Sequence, residues 1–132
     1  MERKPSPMLI FKGEIMAKPR MTRSDKWKER IATSKYWAFK DHLTLQANIQ
    51  GFTLGNRVSI KVDLPMPKSW SKKKREEMNF QPHQQKPDID NIIKSVQDIL
   101  MKEDSTIYEV CAVKRWTNKS EGLLIIKNLM DI

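Results

Sequence analysis

The chain reads as an α+β domain, a small mixed sheet of about four strands with helices packed on it. Three observations predict this. Segments with a hydrophobic period of two are interspersed with segments of helical period, in the order β, α, β, α, α, β, β. No internal repeat or low-complexity tract divides the chain. A length of 132 residues is enough for one core and too short for two ordinary domains, so 1–132 is read as a single domain. With 39% hydrophobic and 31% charged residues, the chain buries enough apolar surface to fold.

Residues 11–16 are short and mixed enough to be a strand. Pro19 then breaks any regular element within 17–23, leaving a loop that carries Lys18, Arg20 and Arg23. Over 35–47, Tyr36, Phe39, Leu43 and Ala47 recur at helical spacing. Gly51 and Gly55 punctuate a turn. Residues 57–64 alternate, with Val58, Ile60, Val62 and Leu64 on one side and Arg57, Ser59, Lys61 and Asp63 on the other, which predicts a strand. Pro65 and Pro67 end it. Ser71 is placed to N-cap a short helix carrying Lys72, Lys73, Lys74 and Arg75. A polar stretch over 81–86 leads into Pro87 and a helix over about 91–101. Strands over 107–116 and 123–129, joined by a polar link, read as a hairpin.

Composition narrows the function classes. One cysteine, Cys111, forms no internal disulfide, and with two histidines it is too little for a four-ligand structural zinc site. Cys111 is expected to be a small buried strand residue. No apolar run approaches the ~20 residues that span a bilayer, and the first ten residues lack a signal-like apolar stretch, so no membrane association and a cytoplasmic location are expected. The net charge of +9 favours a polyanionic partner. The excess is uneven: residues 1–80 hold 18 basic and 8 acidic side chains, and residues 81–132 hold 7 and 8.

The sharpest chemical signal is Lys86-Pro87-Asp88-Ile89-Asp90-Asn91-Ile92-Ile93-Lys94, followed by Glu103-Asp104. On a helical wheel Ile92, Ile93, Val96, Ile99 and Leu100 face the core, while Asp90, Asn91, Lys94 and Asp98 point outward together. Asp88 stands just before the helix, where its carboxylate can converge with that of Asp90. Two adjacent carboxylates repel unless a cation neutralises them, and oxygen-only ligation suits Mg²⁺, or Mn²⁺ in its place. Asp104 would supply a third ligand. A metal so held grips a phosphate oxygen and acidifies an attacking water, with Lys94 stabilising the developing charge. The plainer alternative keeps Asp88 and Asp90 as helix-capping charges and Asp90 with Lys94 as an i,i+4 surface pair.

Lys86 to Lys94, Asp98-Ile99-Leu100 and Glu103-Asp104 together resemble the signature of RusA-type Holliday junction resolvases. Leu64 to Arg75 looks like the strand end and basic segment of phage and prophage members, and Lys18 to Arg23 like their early basic loop; the resemblance spans about residues 10–128. It implies a homodimeric, Mg²⁺-dependent endonuclease that makes paired symmetric nicks in four-way DNA junctions. It places metal-binding aspartates at Asp88, Asp90 and Asp104 and a catalytic lysine at Lys94. The chain departs from the familiar pattern in its short link before Glu103-Asp104 and in the Glu, so Glu103 competes with Asp104 as third ligand. A two-fold junction needs two equivalent cuts, which an isologous dimer supplies. Lys18, Arg20, Arg23, Lys72, Lys73, Lys74 and Arg75 are the candidate phosphate contacts, with a merely solvated cationic surface as the alternative. Most of Trp27, Trp37, Trp70 and Trp116 are expected in the core, with Trp70 the candidate to meet DNA; His83 is a further loop candidate. Two other functions compete: a nuclease with broader branched-DNA preference for forks, flaps or D-loops, and a non-catalytic basic DNA-binding protein.

Overall fold

The computed structural model describes residues 8–18, 31–101 and 103–129. Four strands and three helices follow one another as β1 (Met8–Gly13), α1 (Ile31–Gln50), β2 (Arg57–Pro65), α2 (Lys72–Met78), α3 (Ile89–Leu100), β3 (Glu109–Thr117) and β4 (Gly122–Asn128), with a 3₁₀ turn at Asp104–Thr106 before β3. The α+β expectation and the four-stranded mixed sheet both hold.

The sheet order is β1-β4-β2-β3. β2 runs parallel to β3 and antiparallel to β4, and β1 pairs antiparallel with β4. The expected β3–β4 hairpin is therefore incorrect, because β2 lies between the two strands. A short polar link signals a reversal of direction, but it does not say whether the returning strand pairs with its predecessor or passes over one neighbour. The apolar content of the strands decides it. β2 places Val58, Ile60, Val62 and Leu64 in the core and takes the centre, whereas β3 carries Glu109, Lys114 and Arg115 and takes an edge. Gly122 makes the close pairing of β4 with β1 possible: a Cβ there would lie 2.8 Å from Ile15 Cδ1 and 2.9 Å from the Gly13 carbonyl oxygen.

β1 begins and ends three residues earlier than its sequence pattern suggested. Leu9 and Phe11 are its inward residues, and it stops at Gly13, whose φ of +153° suits glycine. The four predicted contacts of α1, Tyr36, Phe39, Leu43 and Ala47, are all buried. The helix ends in a double turn of backbone bonds, Phe52 N–H to the Ala47 carbonyl at 2.9 Å and Gly51 N–H to the Asn48 carbonyl at 3.3 Å, with Gly51 left-handed at φ +67° and Phe52 buried behind it. Gln50 closes the free edge of β1. Its side chain accepts from Ile10 N–H at 3.0 Å and donates to the Ile10 carbonyl at 2.7 Å.

One face of the sheet carries the core. Leu9, Phe11, Val58, Ile60, Val62, Leu124 and Ile126 pack beneath α1 and α3, with Ile92 and Val96 buried from α3 and Ile93, Ile99 and Leu100 partly so. The opposite face of β3 presents Cys111, which is exposed and not buried as expected; it shares a face with Ser59, outside the core alternation. Asp63 differs in the other direction. Read as an outward residue, it is buried, and Arg115 beside it on β3 clamps it with two hydrogen bonds, Nε to Oδ1 at 2.9 Å and Nη2 to Oδ2 at 3.0 Å. That bond and the neighbouring charge hold the guanidinium pKa above its usual value, against the partial burial of Arg115.

Candidate active site

The free edge of β3 does not stay open. The segment after α2 runs along it in the antiparallel sense: Phe80 N–H donates to the Trp116 carbonyl, Trp116 N–H to the Gln81 carbonyl, and His83 N–H to the Lys114 carbonyl, at 2.9 to 3.0 Å. Pro82 bridges to Arg115 on the same line. A proline is tolerated there because this outermost segment has no further strand to donate to. The segment thus arrives at Pro87 with its path fixed by the sheet, and Asp88 follows at the N-cap of α3.

Asp88 and Asp90 line one cleft of about 730 Å³, together with His83 to Lys86 and with Ala112, Val113 and Lys114 of β3. Both aspartates are exposed. Asp88 has the extended backbone of an N-cap, yet its side chain makes no capping hydrogen bond. Asp90 Oδ1 accepts from Asn91 N–H at 3.0 Å. Lys94 pairs with Asp98, at 3.9 Å, and not with Asp90. Asp88 stands at the N-cap and Asp90 in the first turn of α3, where the capping reading puts them, but the Asp90–Lys94 pair does not form, and among the described residues neither carboxylate has an ion-pair partner.

The remaining candidates are placed unequally. Asp104 lies in the 3₁₀ turn, but its side chain is outside what the structure describes, and Glu103 beside it is exposed and accepts from Ser105 Oγ at 3.3 Å. Among the described residues no three His, Cys, Asp or Glu side chains form a cluster able to hold a metal ion. Arg20 and Arg23 fall outside the described residues, as does Trp27. Lys18 reaches Asp98 at 3.5 Å, so Asp98 is shared between Lys18 and Lys94. Asp98 also adds to burial in raising the pKa of the Tyr36 hydroxyl.

Ser71 caps α2 as expected, its hydroxyl accepting from Lys74 N–H at 3.2 Å. Lys72, Lys73 and Lys74 are exposed, whereas Arg75 is half-buried and donates to the carbonyls of Pro67 at 3.2 Å and Asn118 at 3.5 Å. Arg75 is thereby held as a strut between the two loops. Trp70 is half-buried, covered by Trp116 on one side at 4.7 Å between centroids and by the Lys74 ammonium at 4.2 Å. Trp116 is in the core; Trp37 is exposed, against expectation, with the Lys40 ammonium 5.0 Å from its ring.

Two cleft residues carry more than the sequence indicated. His83, read as a polar loop residue, is only 6% exposed, and its ring lies 3.9 Å from that of Trp116. Among the described residues its buried Nδ1 has no hydrogen-bond partner. Burial, and then the Lys114 charge, push its pKa down. Lys114 belongs to no motif in the sequence. Its ammonium donates to the carbonyls of Gln85 at 2.5 Å and Pro87 at 2.7 Å. Its pKa is lowered by burial, with Asp88 acting in the opposite sense. The strand alternation held the one available clue, since Lys114 takes an inward position opposite buried Val62.

A small α+β domain with a net charge of +9 and a cleft lined by Asp88 and Asp90 defines a class of protein suited to a polyanionic partner. The sequence matches the family described as Endodeoxyribonuclease RusA over residues 12–126, and the chain belongs to that family of DNA-cleaving nucleases. No curated protein matches the chain.

Proposed function

We propose that the protein is a Holliday junction resolvase, a Mg²⁺-dependent endodeoxyribonuclease that makes paired symmetric nicks in four-way DNA junctions as a homodimer. The observation that carries this reading is the pair Asp88 and Asp90, which line one cleft at the start of α3 with no capping bond from Asp88 and, among the described residues, no ion-pair partner for either. Membership of the RusA family supports a DNA substrate. Carboxylate oxygens as the donors fit Mg²⁺, with Mn²⁺ as a substitute. Asp88 and Asp90 would hold the ion, with Asp104 or its neighbour Glu103 as the third donor. Bound there, the metal would polarise a phosphate oxygen and acidify the attacking water.

The rest of the chemistry falls to the chain. Lys94 is exposed and its contact with Asp98 is long, so it is free to exchange that partner for a phosphate oxygen and stabilise the charge that develops there. Lys72, Lys73 and Lys74 contact the phosphate backbone and set the register of the DNA, with Lys18, Arg20 and Arg23 as a second basic arm. Two copies related by a two-fold axis match the two equivalent strands of the junction.

The test is a cleavage panel with Mg²⁺, Mn²⁺ or EDTA on a four-way junction, a fork, a flap and a D-loop. Paired nicks across the junction, abolished by EDTA, are expected. Equal cutting of all four substrates selects a general branched-DNA nuclease, and binding without any metal-dependent nick selects a non-catalytic DNA-binding protein.

A further inference from the structure

We infer that Lys114 is a positioning residue for the reaction, holding the 85–87 segment so that Asp88 is presented to the cleft. The inference rests on the proposed role of Asp88 and adds to it. Lys114 lies on the inward side of β3, in register with Val62, where an apolar residue would ordinarily stand. It is partly buried and lines the cleft. There it donates to two carbonyls, those of Gln85 and Pro87, that flank Lys86 and immediately precede Asp88. Both bonds are charge-assisted and short. The Lys114 carbonyl accepts from His83 N–H at 3.0 Å, so one residue of β3 grips the segment through its main chain and its side chain, at His83 and again at 85–87. Asp88 itself lacks a cap bond to fix its carboxylate, and Lys114 therefore supplies the restraint on the backbone that carries it. Supports of this kind around a ligand carboxylate typically alter metal affinity or activity by about 10- to 100-fold when removed.

Lys114→Met keeps the stem and removes both donors. In the metal-free protein, amide hydrogen exchange at 84–90 is expected to accelerate at least tenfold while β2 and β4 keep their protection. With Mn²⁺, the half-saturating concentration for nicking is expected to rise severalfold, and the rate at saturating metal to fall on the order of tenfold or more. Affinity for the junction should stay within about threefold, and Lys114→Arg should recover much of the loss. If the methionine variant does not fold, Lys114→Gln replaces it with the same expectations.

Unchanged exchange at 84–90, normal cleavage, or tighter Mn²⁺ binding would overturn the assignment. Tighter binding would mean that Lys114 acts only as a repelling charge. A wild-type protein that never nicks would overturn the nuclease reading and this inference together. A wild type that nicks, an Asp90→Asn variant that does not, and a Lys114→Met variant indistinguishable from wild type would overturn this inference alone.

Discussion

Asp90 stands one residue into α3, and among the described residues its carboxylate accepts one hydrogen bond, from the next N–H along the chain. Asp90→Asn preserves that bond and removes the charge. Junction nicking is expected to fall by more than about 100-fold with junction binding kept, as gel shift and cleavage assays on one preparation would show. His83 makes a different prediction. Its folded pKa lies below the usual histidine value, so as pH falls through about 6.5 the unfolded chain takes up a proton that the native ring resists. Stability should therefore decline from pH 7 to pH 5, and His83→Phe should flatten that decline in thermal melts. The sequence displayed the aspartates because the Pro-Asp-x-Asp-Asn order is local. It hid His83 and Lys114 because their surroundings are built from β3 and the 80–87 segment, which are far apart along the chain.

The strand pairing of β2 with β3 brings Asp63 and Arg115 side by side, and neither residue signals the pair on its own. Arg115→Met leaves a buried carboxylate without its partner and is expected to cost about 3 kcal/mol or more in urea unfolding. Gly122→Ala should also destabilise, since the new methyl meets the Gly13 carbonyl as well as Ile15. Helices were legible wherever their period was clear: the buried face of α1 and that of α3 follow from spacing, and Ser71 and Gly51 mark a start and an end. Strand partners were not. The link over 118–121 reverses the chain, but only the greater apolar content of β2 places that strand between β3 and β4, and such competition among distant segments has no local signature.

Charge acts at the scale of the whole molecule, through the excess in residues 1–80 and the exposed lysines of α2. Lys72→Ala combined with Lys73→Ala should weaken junction binding and reduce the slope of log affinity against log salt by up to about 2, roughly 0.9 for each phosphate no longer neutralised. Arg75, committed to two carbonyls, should affect stability more than that slope. Everything else depends on whether the cleft holds an ion. Calorimetric titration of Mn²⁺ into the DNA-free protein, beside Asp88→Asn and Asp90→Asn, addresses this most directly. Saturable binding by the wild type, weakened at least tenfold in each variant, is the predicted result; equal binding by all three proteins would contradict the account.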